Sequence, residues 1–165
     1  MNPETNPCQR GDCLGLIRVK QVVCAPPGAV AALARDVALY PQFMPTLQRI
    51  EVLDTDADGR GAHTRWYAEH RLLSAKRTMI WAQRDRWDEN GLCCRFELDP
   101  AEPGRYSRLK GRWLFNAHPR GTELVVDIDF ALDHPALNPV LHKLLDKLME
   151  RNNRILLRAM KKAAE

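Results

Sequence analysis

The first apolar run of the chain alternates. In residues 14–24, LGLIRVKQVVC, the positions Ile17, Val19, Gln21 and Val23 share one side, the period-two pattern of a strand, and Ala25-Pro26-Pro27-Gly28 stops it. Proline suits a first helical turn, where the amide it lacks has no intrahelical partner, and the stripe Ala29, Val30, Leu33 and Val37 predicts a short helix next. The proline-bounded segment Leu39-Tyr40-Pro41-Gln42-Phe43-Met44-Pro45 predicts a second short helix and a turn lying against the open end of a sheet. Strand patterns follow at residues 47–53, 62–70, 76–88, 92–98, 105–117 and 122–132, separated by polar turn chemistry. Asn90-Gly91 is the strongest hairpin signal among them, because both residues tolerate the positive φ of a tight turn. The last run alternates most cleanly, with Leu124, Val126, Ile128, Phe130 and Leu132 against Glu123, Asp127, Asp129 and Asp133, which predicts one buried face and one wet face.

From residue 137 the period becomes helical. Leu137, Leu141, Leu144, Leu145, Leu148, Asn152, Ile155, Leu156, Ala159 and Ala163 fall on one stripe. Roughly 26 residues at about 1.5 Å each give a helix of about 40 Å, long enough to cross a small sheet. Pro139 fits only within its first turn, so the helix starts close to there. One strand, two short helices, six strands and one long helix leave few topologies when strands pair with sequence neighbours. The predicted fold class is α+β: a curved antiparallel sheet of about seven strands wrapped around a long C-terminal helix, with two short helices after strand 1. A stiff helix cannot follow a curved sheet everywhere, so an internal cavity is expected between them. Residues 1–13, with Asn2-Pro3, Asn6-Pro7 and Gly11-Asp12 and little apolar content, read as a disordered arm, and residues 14–165 as one domain.

Composition agrees with one globular unit, since 165 residues suit a single domain and 45% hydrophobic against 28% charged residues is not a disordered balance. The net charge of +4, from 25 basic and 21 acidic residues, makes no strong field. Arg105, Arg108, Lys110 and Arg112 are spaced like a solvated sheet face, so nucleic acid or a ribosome is an open but disfavoured partner. No apolar run approaches the roughly 18 residues of a membrane span, and the start lacks a signal-peptide pattern, so a cytoplasmic protein is expected. Five cysteines (Cys8, Cys13, Cys24, Cys93, Cys94) in no metal-ligand spacing predict free thiols, no metal site and no cofactor.

Three segments and the final amphipathic helix carry a family resemblance: Val22-Val23-Cys24-Ala25-Pro26, residues 36–45 (DVALYPQFMP) and residues 104–115 (GRYSRLKGRWLF). Over about residues 15–163 the chain resembles the polyketide cyclase/dehydrase and coenzyme Q-binding group of the START-like (SRPBCC, helix-grip) superfamily. The Tyr-Pro-x-Phe-x-Pro and Leu-x-Gly-x-Trp-x-Phe segments look particularly like the coenzyme Q-binding branch. The resemblance implies a helix-grip fold that binds an apolar small molecule, a quinone, lipid or polyketide-like compound. It equally admits an aromatase/cyclase that performs aldol cyclisation and dehydration, and a ribosome-associated toxin-like protein.

Strand parity supplies the candidate wall: Phe96 and Leu98, then Leu109, Gly111, Trp113 and Phe115, then Leu124, Val126, Ile128 and Phe130. Trp66 and Trp81 join it as candidate ligand contacts, Tyr40 and Phe43 suit an aromatic lid at the mouth, and Asn152 is a polar break in the helical stripe. In residues 76–88, Met79, Trp81, Gln83, Asp85 and Trp87 share one face and Ile80, Ala82, Arg84 and Arg86 the other, which leaves the inward face open. The resemblance places Arg86, or Arg84 nearby, close to the pocket arginine of aromatase/cyclases, where a guanidinium would hold and polarise a carbonyl or enolate oxygen. Proton transfer needs another group, and Tyr67 is the candidate, with His63 and His70 on the same strand.

Overall fold

The computed structural model describes residues 17–72, 75–133 and 138–165. The expected arm at 1–13, residues 14–16 of the first strand pattern, Leu137 and the His70 side chain lie outside what it describes. In chain order the elements are β1 (Ile17–Val23), α1 (Pro27–Arg35), a 3-10 turn (Val37–Leu39), α2 (Tyr40–Phe43), β2 (Leu47–Thr55), β3 (Gly61–Leu72) and β4 (Ala75–Trp87), followed by β5 (Cys93–Leu98), β6 (Tyr106–His118), β7 (Gly121–Leu132) and α3 (Pro139–Ala164). The strands form one antiparallel sheet in the order β1-β7-β6-β5-β4-β3-β2. β1 and β2 are sequence neighbours at opposite edges, so α1 and α2 must span between them, and α3 packs on β1, α1 and α2. This is the helix-grip arrangement read from the pattern.

Local chemistry sets the element ends. Gly91 takes φ 68° in the β4–β5 turn, where the Asp88 carboxylate accepts from the amides of Leu92 (2.8 Å) and Cys93 (3.0 Å). At the start of α3, the Asn138 side chain accepts from the Leu141 amide at 2.9 Å and Pro139 occupies the first turn. At Gly111 a Cβ would collide with the Phe96 ring and the Asp127 carbonyl, so only glycine lets that ring lie across β6.

Four expectations need correction. The buried stripe of α1 is Val30, Ala31 and Ala34, and Ala29 faces solvent. The buried face of α3 runs through Asn153, Leu156, Leu157 and Met160, with Leu145 and Met149 packed beside it, whereas Leu144 is half exposed. Met149, Met160 and Asn153 thus join a stripe that was expected to run through leucines, Asn152, Ile155, Ala159 and Ala163. The polar face of β7 is not uniformly wet: Val125 and Asp127 are buried, Asp127 because Arg18 and Arg112 enclose its carboxylate. Burial opposes its ionisation, the two guanidiniums outweigh that, and its carboxyl sits below the usual range. Finally, Cys24 and Cys94 are free thiols, but Cys93 is disulfide-bonded. An odd number of cysteines still permits a pair.

Candidate functional site

Between the concave face of the sheet and α3 lies a partly enclosed cavity of about 300 Å³. Strand alternation builds its wall. On β3, Thr64, Trp66 and Ala68 point inward, and on β4, Trp81, Gln83, Asp85 and Trp87 do the same. β5 and β6 add Cys94, Phe96, Tyr106, Leu109 and Trp113; β7 adds Val126 and Ile128; Met149, Asn152, Asn153 and Leu156 of α3 close the other side. All 4 tryptophans of the chain face this one space.

The rings support one another. Trp66 and Trp81 stack at 5.7 Å, Tyr106 meets Trp81 edge-on at 5.4 Å, and Tyr40 meets Trp66 edge-on at 5.8 Å. Tyr40 is fixed at the cavity edge because its hydroxyl donates to the Ala34 carbonyl at 2.6 Å. Burial pushes the phenols of Tyr40 and Tyr106 well up, so both stay protonated across the ordinary pH range. For the Tyr106 hydroxyl, burial is the sole cause, and no described residue gives it a hydrogen bond.

A polar strip crosses this aromatic wall. The Trp66 indole donates to Thr64 Oγ1 at 2.9 Å, and the Thr64 hydroxyl donates to Asp85 Oδ2 at 3.0 Å. In parallel, the Trp81 indole donates to Gln83 Oε1 at 3.1 Å, and Gln83 Nε2 donates to Asp85 Oδ1 at 2.8 Å. Both carboxylate oxygens are thus held by neutral donors, and no described cation forms an ion pair with Asp85. Burial pushes Asp85 up to about 6, while the bonds from Gln83 and Thr64 restrain the rise. Cys94 lies close by, its thiol pushed far up by burial and by the Asp85 charge, so it is not a nucleophile.

Of the sequence candidates, the cavity gathers Tyr40, Trp66, Trp81, Phe96, Trp113, Val126, Ile128 and Asn152. Phe43, Phe115 and Phe130 belong to the packed surroundings; Phe115 stacks behind Trp87 at 5.7 Å. The expected arginines are corrected: both lie on the opposite face of β4. Arg86 binds Asp56 and Asp58 at the sheet's outer edge, and Arg84 is exposed with Asp99 at 3.9 Å. Tyr67 also faces outward, donating to Glu51 at 2.9 Å beneath the Arg49 guanidinium. His63 lies outward too, with Nε2 2.7 Å from Asp99. Sequence reading passed over Thr64, Gln83, Asp85, Tyr106 and Asn153. The signal was present in β4, where Gln83 and Asp85 share the parity of Trp81 and Trp87.

Among the described residues no cluster of His, Cys, Asp and Glu could hold a metal ion, and no helix is long and apolar enough to cross a membrane.

A sheet gripping one long helix around an aromatic-walled cavity defines a ligand-pocket architecture, and the comparisons say which. The family model for polyketide cyclase / dehydrase and lipid transport matches residues 23–157, and the chain belongs to that family. Among solved structures it is similar to TTHA0849 from Thermus thermophilus, with 27% identity, a TM-score of 0.76, and coverage of 88% of this chain and 94% of that one. It is also similar to the Zhui aromatase/cyclase from Streptomyces sp. R1128, at 19% identity and TM-score 0.75, covering 90% and 92% of the two chains. A START superfamily protein from Mycobacterium smegmatis aligns at 19% identity and TM-score 0.72, covering 90% and 95%. No curated protein matches the chain.

Proposed function

We propose that this protein binds a flat apolar small molecule, of quinone, lipid or polyketide type, in the cavity under α3. The observation that carries the reading is the cavity itself: about 300 Å³ walled by four tryptophans and crossed by a polar strip. Burying roughly 400 Å² of apolar ligand surface contributes about 10 kcal/mol gross, and an association cost of about 4 kcal/mol still leaves affinity of some tens of micromolar. No reactive group is required for that.

One observation favours a second reading, an aromatase/cyclase. A carboxyl titrating at about 6 inside an apolar site is suited to accept a proton near neutral pH, which the outward-facing arginines and Tyr67 are not placed to do. Asp85 would remove an acidic C–H proton from a bound polyketone, and the Tyr106 hydroxyl would donate to the oxygen on which charge develops. Binding comes first in either case, so the decisive experiment is a titration with the neutral apolar probe N-phenyl-1-naphthylamine. Because every tryptophan lines the site, excitation of the indoles should give saturable transfer to one bound probe. A response that never saturates would leave both readings without support.

A further inference from the structure

We propose that the cavity selects a ligand presenting a hydroxyl donor on a flat aromatic skeleton, and that Asp85 is the residue that makes the selection. The proposal rests on the reading of the cavity as a ligand site and names what that ligand must carry. Asp85 is the one acid among the described residues lining the cavity. Thr64 and Gln83 each donate once to its two oxygens, and a carboxylate has acceptor capacity beyond two bonds. An ionised carboxylate has no proton to give, so a ligand ending in a carbonyl or ether oxygen sets lone pair against lone pair. A ligand hydroxyl instead completes the acceptor set of a buried charge.

Charge at the rim disfavours a cationic ligand. Arg35 sits over the Trp87 ring at 4.5 Å and borders the cavity, so an ammonium would meet a like charge there, whereas the other rim cation, Arg60, is paired with Asp58 and Glu89. The stacked Trp66–Trp81 pair and Trp113 offer flat ring faces, which suits an aromatic skeleton better than a branched one.

The selection depends on the ionisation of Asp85, and the surrounding elements add few competing titrations. Cys94 on β5 and Tyr40 on α2 face it, and burial keeps both protonated. Arg35 on α1 and Arg60 before β3 bring guanidinium groups to the rim. His63 on β3 acts on Asp85 through space from the outer face, and α3 presents the non-titrating Asn152 and Asn153. The preference therefore belongs to pH above about 6 and fades below it.

The test is calorimetric titration of the full chain with 2-naphthol and 2-methoxynaphthalene, which share a ring system and differ in the donor. At about pH 7.5 the naphthol should bind about tenfold tighter, the value of one hydrogen bond to a charged acceptor, and the ratio should shrink several-fold by about pH 4.5. In Asp85→Asn the ratio should be small and independent of pH, with 2-methoxynaphthalene still bound as evidence of an intact cavity. The wild-type pH series stands as a separate test should that variant fold poorly. A wild-type ratio within about twofold at the higher pH, or a tenfold ratio surviving in Asp85→Asn, overturns the proposal while leaving the binding reading in place. Failure of both compounds to bind overturns the binding reading with it.

Discussion

Replacing Asp85 by asparagine should stabilise the protein at alkaline pH and do so less and less as pH falls. Asp85 titrates at about 6 in the folded state against the usual 3.8, so the folded protein holds this proton more tightly than the unfolded chain. Well below pH 3.8 the carboxyl is protonated in both states and imposes no penalty, and at about pH 4 most of the penalty is already gone. As pH rises through about 6 the folded state must ionise a buried group, and stability is lost up to the full difference. That difference, from 3.8 to about 6, corresponds to about 3 kcal/mol. Asparagine keeps the shape, can still accept from Gln83 and never ionises. Urea denaturation of both proteins at about pH 8 and about pH 4 gives a double difference in which the exposed carboxylates cancel; it should approach 3 kcal/mol in favour of the variant at the higher pH. By melting temperature this is about 6–12 °C for a chain of this size. Parallel pH profiles for the two proteins would refute the reasoning, because they would mean that Asp85 titrates normally and the strip is open to water.

Gly111→Ala should destabilise by about 1–3 kcal/mol, since the new methyl meets the Phe96 ring and the Asp127 carbonyl; calorimetric melting measures it, and a neutral effect would mean the ring is free to move. Asp127→Ala should cost about 3 kcal/mol by breaking its buried ion pair with Arg112, and a loss below about 1 kcal/mol in denaturation would show that the pair contributes little. In the native protein, a maleimide should label exposed Cys24 quickly and Cys94 only on unfolding, as mass spectrometry of the labelled peptides would show; early Cys94 labelling would contradict its burial. Arg86→Met should leave binding of N-phenyl-1-naphthylamine within about twofold, because Arg86 pairs with Asp56 and Asp58 outside the cavity, and a tenfold loss would return it to the site.

Parity and period carried the fold. Alternation in residues 122–132 and the helical spacing after Pro139 reflect which side chains water excludes, a constraint strong enough to survive without coordinates. The strand β4 was harder because both of its faces contain apolar residues: Ile80 and Ala82 on one, Met79, Trp81 and Trp87 on the other. Attention to arginine as the charged group then pointed outward, whereas two tryptophans flanking Gln83 and Asp85 on one parity marked the inward face. Asn152 does line the cavity, and the neighbouring Asn153 was passed over. Asn152 interrupts a run of leucines, yet the helix turns Asn153 fully inward, where its Nδ2 donates to the Met149 carbonyl at 2.9 Å. The hydrogen bond that Thr64 donates to Asp85 depends on strand pairing between β3 and β4, and spacing along one segment does not reveal such a cross-strand contact.

The most direct test of the account fills the cavity. Ala68 is buried at its wall on β3, and Ala68→Phe would place a ring in space that the ligand is argued to occupy. The measurement is fluorescence titration of N-phenyl-1-naphthylamine into wild type and Ala68→Phe, with circular dichroism melts to confirm that both are folded. The account predicts saturable one-site binding at some tens of micromolar in the wild type and a loss of at least about tenfold in the variant. Equal binding by two folded proteins would place the probe elsewhere and contradict the cavity as the ligand site.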